Sequence, residues 1–471
     1  MLILKIAFRN IFRNTRRSVT TLSTIAIGAT AVLVFGAYIT YIKYGVQTAA
    51  VQRTGHLQVF RNGYFTLGVA APGAWGIDNY PAVLRLIRED PALRSLAAVV
   101  TPIQSLAGIA GNVENNTSKT FFGVGFVPSE RDRMKQWNEY GTGSQGLKHS
   151  GLKDDDLSKG ITGIGLVRIL GLCERLRLDE CPVVPPEGKP SPPESSVASA
   201  ADLANLDELL TRDQPEGQST STDSEPSIDL LAATAGGAPN VVSLRVAQVE
   251  LQQLKELDDN YVGMNIGLAQ NLIYGRGEHK ATGIVVQLNR TEDLAVARAR
   301  LLVLFKERGL DLEVRDFTEL NPQYHQVVGL FDSIFSFISA IIGIVVLFTV
   351  TNAMGMSVVE RTGEIGTTRA MGIRRQGIRK QFLVEGSLLG VIGATIGVVL
   401  AQLVAYGINQ SPLKWTPPGA GAAVPLRLYM NGAYALMILT WIGLLVASAL
   451  AALIPANRAA RMPVVDALRH V

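Results

Sequence analysis

The stretch "ERTGEIGTTRAMGIRR", Glu360 to Arg375, sets two carboxylates and four guanidinium groups within sixteen residues, between two of the most apolar runs of the chain. Groups of these types at this spacing offer ion pairs and charge-assisted hydrogen bonds rather than bond-breaking chemistry. Glu360 and Glu364 stand four apart, as do Arg361 and Ile365 and then Ile365 and Arg369, so each set shares one side of a helix. Gly363, Gly366 and Gly372 would each weaken a free helix by about 1 kcal/mol. The segment is therefore expected to be short and docked on something. Ile365, Ala370, Met371 and Ile373 give it an apolar face. A connector that only sets membrane orientation needs the arginines alone; the acids, the glycines and the apolar face go beyond that need.

The rest of the sequence assembles no reaction centre. It contains no G-x-x-x-x-G-K-[ST] loop to cradle phosphates, and "GKP" at Gly188 lacks both the spaced glycine and the hydroxyl residue. "GVGF" at Gly123 and "GITGIG" at Gly160 do not match the dinucleotide fingerprint. The five histidines (His56, His149, His279, His325 and His470) are scattered without metal-ligand spacing, so no metal site is expected. G-x-S-x-G is absent. Nothing in these observations supports chemistry on a substrate.

What positions the charged segment is a set of charge-free runs. None of Asp, Glu, Lys or Arg occurs from Ser18 to Ile42, from Ser333 to Val359, from Gly386 to Pro412 or from Leu428 to Asn457. Each run exceeds the roughly 20 apolar residues that cross a hydrocarbon core, whereas a central charge would cost about 2.5–3.5 kcal/mol. Four transmembrane helices are expected, over 18–44, 327–357, 381–410 and 430–454. The first is too long, and too poor in small residues at its end, for a cleaved signal.

Lys5, Arg9, Arg13, Arg16 and Arg17 precede the first run, six basic residues from Arg361 to Lys380 separate the second from the third, and Arg458, Arg461 and Arg469 follow the fourth. Basic residues hold short loops in the cytoplasm. Residues 1–17, the segment 358–380 and the tail 455–471 are therefore expected inside, with 45–326 and the loop 411–429 outside. The net charge of +4 is absorbed by this bias and lends no support to nucleic-acid binding.

The outside region reads as two β-α-β halves. "GHLQVFRNG", "NYPAVLRLIRED" and "LAAVVTPIQSLAGIAG" form the first; "ATGIVVQLN", "RTEDLAVARARLLVLFKERG" and "LDLEVRDFTEL" form the second, with Thr291 as N-cap and Gly309 as C-terminal stop. The fold class is thus a four-helix membrane protein carrying a large α+β domain between its first and second spans, with an insert over 128–238. The Pro-, Ser- and Glu-rich part near 185–228 lacks the apolar surface to order itself and is expected to be mobile. Cys173 and Cys181, the only cysteines, lie in "CERLRLDEC" without a nearby histidine, so a disulfide is favoured over a metal site, with two unpaired buried thiols as the alternative. Within the third run, Gly386, Gly390, Gly393 and Gly397 allow close helix approach, inside the chain or to a second copy.

"ERTGEIGTTRAMGIRRQGIRKQFLVEGSLLGVIGATIG" resembles the signature of FtsX-like, MacB-type ABC transporter permeases. "IPANRAARMPVVDALR" is similar to their closing motif, and "AFRNIFRNTRRS" to their amino-terminal helix. That resemblance implies a bacterial inner-membrane permease without catalytic residues. Glu360, Arg361, Glu364, Ile365, Arg369, Ala370 and Gly372 would couple it to a separate ATPase. It further implies ATP and Mg on that partner and no cofactor in this chain, a second permease copy or a related permease, and a periplasmic adaptor or lipoprotein carrier. Release or export of lipoproteins, lipids, peptides or antibiotics is the implied activity. An FtsX-like regulator of cell-wall hydrolases, or a membrane-anchored sensor or scaffold, are the alternatives.

Overall fold

The computed structural model describes residues 2–13, 15–142, 149–178, 226–252, 255–275, 279–415, 424–430 and 432–464. Four helices, Thr15–Thr54, Pro322–Glu360, Arg375–Gln410 and Tyr434–Arg461, are long and apolar enough to cross a membrane. The first has 40 residues and so extends about 60 Å, against a hydrocarbon core of roughly 30 Å. Its last turns therefore enter the β-rich domain instead of stopping at the end of the apolar run. It ends at Gly55, whose φ of +70° favours glycine and where a Cβ would lie 2.3 Å from the Val285 side chain. The second begins on Pro322 in its first turn, where a missing N–H costs nothing.

The third helix packs on the first and fourth, and the second helix packs on those same two. The four glycines of the third helix divide between its neighbours. A Cβ on Gly386 would lie 2.4 Å from Ala452 and one on Gly390 2.8 Å from Ser448, both on the fourth helix. On Gly393 it would lie 2.8 Å from Ile25, and on Gly397 2.3 Å from Ala29, both on the first. One stripe of absent side chains thus admits two helices, above and below, to near-backbone contact within the chain.

The β-rich domain is built on β1 (Leu57–Arg61), β2 (Ala97–Asn112), β3 (Thr117–Phe126), β4 (Lys159–Gly163), β5 (Ser227–Ala233), β6 (Pro239–Glu250), β7 (Tyr261–Asn265), β8 (Gly283–Leu288) and β9 (Leu312–Asp316). The order is β3-β7-β4-β6-β5-β2-β8-β1-β9. At one end β2, β8, β1 and β9 pair antiparallel. Helices Tyr80–Glu89 and Leu294–Glu307 cover one face of that sheet, burying Val83, Leu84 and Ile87 with Leu301, Leu304 and Phe305 against Leu57, Val59, Ile284 and Val286. The two β-α-β halves thus interlock as a split β-α-β unit, each contributing strands that the other separates.

The remainder is a second layer. β3 pairs with β2 as well as with β7, which closes β2-β3-β7-β4-β6-β5 into a ring. β2 has 16 residues and serves both parts, pairing with β8 near its start and with β3 and β5 farther on. The ring draws on 117–126 and 261–265, outside the 128–238 bounds that composition suggests for an insert. Across the Pro- and Ser-rich stretch, β4 and β5 share β6 as a partner. Residues 185–225 and Cys181 lie outside the described residues; Cys173 is buried in the ring's core with Leu170 and Leu172.

Thr291 does not cap a helix. It opens a 3-10 turn, Thr291–Asp293, that precedes Leu294–Glu307, and its hydroxyl donates to Glu139 at 2.7 Å. The Glu139 carboxylate, more than 150 residues away in sequence, outcompetes the local amide. Gly309 does follow the helix in the left-handed region, at φ +62°.

Candidate functional site

Residues Thr362–Ala370 form a nine-residue helix that leaves the second long helix at Arg361. It ends before Gly372, whose φ of +96° turns the chain toward the third long helix. A helix of two and a half turns with two internal glycines is not stable alone; tertiary contacts hold this one. Ile365 is buried among Met354, Val358, Ile378, Phe382, Ala456 and Ala459. The apolar side chain of the charged stretch thus joins the same buried cluster as the alanines of the closing motif near the chain's end. Arg369 donates to the backbone carbonyl of Met462, just beyond those alanines.

Charge pairs complete the anchoring. Arg17 donates to Glu360 at 2.7 Å, and Arg13, the last residue of the amino-terminal helix Leu2–Arg13, pairs with Glu364. Arg361 reaches Glu364 at 3.2 Å and Glu385, on the third long helix, at 3.1 Å. Its guanidinium lies 5.4 Å from the Phe382 ring centroid. Burial alone would raise the Glu364 carboxyl; hydrogen bonds from Arg13 and Arg361 outweigh it and hold the group below its usual value. The amino-terminal helix itself packs on the third long helix. The amino-terminal stretch, the charged stretch and the closing motif, far apart in sequence, converge here.

The seven predicted coupling residues therefore divide. Glu360, Arg361, Glu364, Ile365 and Arg369 are engaged within the chain. Ala370 and Gly372 are exposed. Beside them Met371 is 74% exposed and Ile373 47% exposed, and Arg374, Arg375, Arg379 and Lys380 stand exposed around them. The tip 370–375 thus presents apolar side chains inside a basic rim. Arg13, Arg17, Phe382 and Glu385 were not legible as partners of the segment. Glu385 is 4% exposed and is bonded by Arg361. Its spacing from Arg361 carries no signal, because the two lie on different helices.

At the opposite end of the bundle a second joint ties the helices to the β-rich domain. Lys43 and Asp332 pair at 2.6 Å between the first and second helices. Arg53 donates to Asn321, the residue before the second helix, and Asn321 donates to Thr54 at 3.3 Å. Arg131 donates to the carbonyls of Gln52 and Arg53 at 3.2 and 2.6 Å. His56, fully buried, accepts from the Leu288 amide at 3.0 Å through Nδ1 and contacts the Thr291 hydroxyl at 3.2 Å through Nε2. Burial pushes its imidazole down to about 3, so it is neutral at physiological pH. Among the described residues no group of three or more His, Cys, Asp or Glu side chains is arranged to hold a metal ion.

Residues 334–464, which contain most of the second long helix, the charged segment and all of the third and fourth, match the family model described as FtsX-like permease C-terminal. Among curated relatives, the macrolide export ATP-binding/permease protein MacB of Shewanella sp. (strain W3-18-1) is 31% identical over 212 residues, 44% of this chain and 30% of that protein. A probable syringafactin export ATP-binding/permease protein of Pseudomonas syringae pv. syringae (strain B728a) is 29% identical over 171 residues, 34% of this chain and 25% of the other. The chain thus spans less than a third of the length of these relatives. The periplasmic region of MacB from Actinobacillus actinomycetemcomitans is 14% identical, with a TM-score of 0.30 over 58% of this chain and 94% of that one.

Proposed function

We propose that this chain, whose residues 334–464 match the model of the FtsX-like permease C-terminal region and which is similar to MacB over 212 residues, is an FtsX-like, MacB-type ABC transporter permease, a membrane subunit through which a separate ATPase works the β-rich domain. In this reading the chain sits in a bacterial inner membrane with both termini in the cytoplasm and the β-rich domain in the periplasm. Two permease copies, or this chain and a related permease, bind two ATPase subunits, which hold the ATP and Mg. Cargo is released or exported on the periplasmic side and belongs to the lipoproteins, lipids or peptides. The relatives named for macrolide and syringafactin export support export over a purely regulatory role.

One observation carries the reading: the tip 370–375 exposes Met371 and Ile373 beside exposed basic side chains, while Arg361, Glu364, Ile365 and Arg369 behind it are anchored within the chain. Exposed apolar groups with a charged rim are the surface a partner desolvates. From the tip the route outward is covalent and continuous. The charged helix joins the 39-residue second helix, whose far end meets the first helix and the domain at the Arg53–Asn321 joint. A push at one end of so long a helix is delivered to the other.

The test is co-expression of the full chain with candidate ABC ATPases and purification through the permease. Ile373→Glu is expected to weaken ATPase retention at least tenfold, since it puts a carboxylate where an apolar side chain is desolvated. Retention of no ATPase by the wild type, or equal retention by Ile373→Glu, would remove the docking assignment. A bound ATPase whose hydrolysis is unchanged by lipid or lipoprotein, alongside a bound cell-wall hydrolase, would favour the regulatory alternative.

A further inference from the structure

The charge pairs behind the tip do more than neutralise one another. Glu360, Glu364 and Glu385 face Arg13, Arg17 and Arg361, three acids against three bases, drawn from five separate helices and the Arg361 joint between two of them. Arg13 ends the amino-terminal helix, Arg17 lies in the first turn of the first long helix, Glu360 ends the second, Glu364 lies in the nine-residue helix that follows, and Glu385 belongs to the third. Arg361 and Glu385 are shielded, with side chains 14% and 5% exposed, whereas Arg13 and Glu364 are 64% and 44% exposed. The network therefore has a buried anchor and a solvent-facing clasp.

We propose that the amino-terminal helix is the clasp of the coupling element, with Arg13 and Arg17 as positioning residues that fix the pitch of Thr362–Ala370 against the bundle. The proposal deepens, and for its functional half rests on, the reading that the tip docks an ATPase. The amino-terminal helix already packs on the third long helix, so holding Glu364 from that side gives the coupling helix two supports. Arg361 and Glu385 hold it from the bundle; Arg13 holds it from the outside through Glu364, and Arg17 fixes Glu360 at the end of the second long helix, where the coupling helix departs. With the clasp closed, displacement of the tip must carry the amino-terminal helix and the inner ends of the second and third helices together. With it open, the nine-residue helix can rock on Arg361 and Ile365, and tip motion is lost before it reaches the long helices.

The experiment uses full-length, detergent-purified protein and a charge-swap series: Arg13→Glu, Glu364→Arg and the double variant, with Arg17→Glu, Glu360→Arg and its double as an independent second set. Hydrogen exchange of the Thr362–Ala370 amides, measured without any partner, reads the clasp directly. Exposed pairs of this kind change an opening equilibrium by about 1.4- to 5-fold, and a reversed charge adds repulsion, so each single variant is expected to exchange roughly 3- to 10-fold faster. Each double is expected to return to within about twofold of wild type. With a bound ATPase, the singles are expected to keep its affinity but to lose permease-dependent stimulation of hydrolysis, and the doubles to regain it. A merely structural role would lower affinity and stimulation together. Unchanged exchange in Arg13→Glu and Arg17→Glu, or doubles that stay as fast as the singles, would overturn the clasp. Restored exchange without any ATPase binding would leave the clasp intact and sink the docking reading instead.

Discussion

Removing the Glu385 carboxylate is the perturbation that most sharply separates the anchor from the surface around it. Its side chain is 5% exposed and meets Arg361, 14% exposed, at 3.1 Å. Glu385→Ala leaves a shielded guanidinium with one fewer acid, and breaking a buried pair costs about 3–5 kcal/mol. Arg361 keeps Glu364 at 3.2 Å and the Phe382 ring, so roughly 2–3 kcal/mol is the expected loss. Glu385→Gln retains an oxygen for Arg361 to bond and is expected to cost about 1 kcal/mol. Glu364→Ala removes a partner that is 44% exposed, opposite an Arg13 that is 64% exposed, and such pairs carry about 0.2–1 kcal/mol. The double variant Arg361→Met with Glu385→Leu replaces the shielded pair by apolar volume and is expected to recover most of the loss. Thermal unfolding of the purified full chain in detergent reads the series, with about 2–4 °C per kcal/mol for a unit of 150–250 residues. Glu385→Ala should therefore melt roughly 4–12 °C below wild type, well below Glu364→Ala. Equal losses in those two variants, or a double variant less stable than Glu385→Ala alone, would refute the reasoning.

Gly397→Ala is expected to destabilise by about 1–3 kcal/mol through overpacking, because its Cβ would lie 2.3 Å from that of Ala29 and 2.8 Å from the Ala26 carbonyl; Gly343→Ala, which meets nothing within 4 Å, is the control and should melt no lower than wild type. His56 titrates near 6.5 when unfolded but about 3 when buried, so its contribution is complete above pH 6.5 and is lost progressively as pH falls toward 3. Wild type should lose about 2 kcal/mol from this group by pH 5, and His56→Gln, whatever its own cost, should show a shallower pH dependence of melting between pH 7 and 5. Cys173 and Cys181 are expected to be joined when the chain is extracted with thiols blocked; peptide mass spectrometry finding both thiols free would refute the pairing and call the periplasmic assignment into question.

Much of this arrangement was legible in the residues themselves. The long apolar helices could be read because charge is excluded from a hydrocarbon core whatever packs beside it, and that rule acts on composition over a window. The β-α-β halves could be read because the period of apolar residues is set locally, by the pleat of a strand and the turn of a helix. Gly309 stopped its helix as its backbone freedom predicts. The first helix ran farther than its apolar run, since polar residues up to Thr54 are good helix formers and nothing breaks the helix before Gly55.

What needed the tertiary structure was every relation between distant residues. Periodicity could place Ile365 and Arg369 on one side of a helix, but not tell that this side faces Ala456, Ala459 and the Met462 carbonyl. The glycines of the third helix announced close packing, but not that two serve the fourth helix and two the first. Thr291 had the chemistry of a cap and gave its hydroxyl to Glu139. Glu364 and Glu385 look alike in sequence, yet one is half in solvent and the other shielded beneath Arg361. Local propensity is fixed by a residue and its neighbours along the chain; the partner that satisfies a charge is fixed by which helices pack together, and that is decided only when the whole bundle closes.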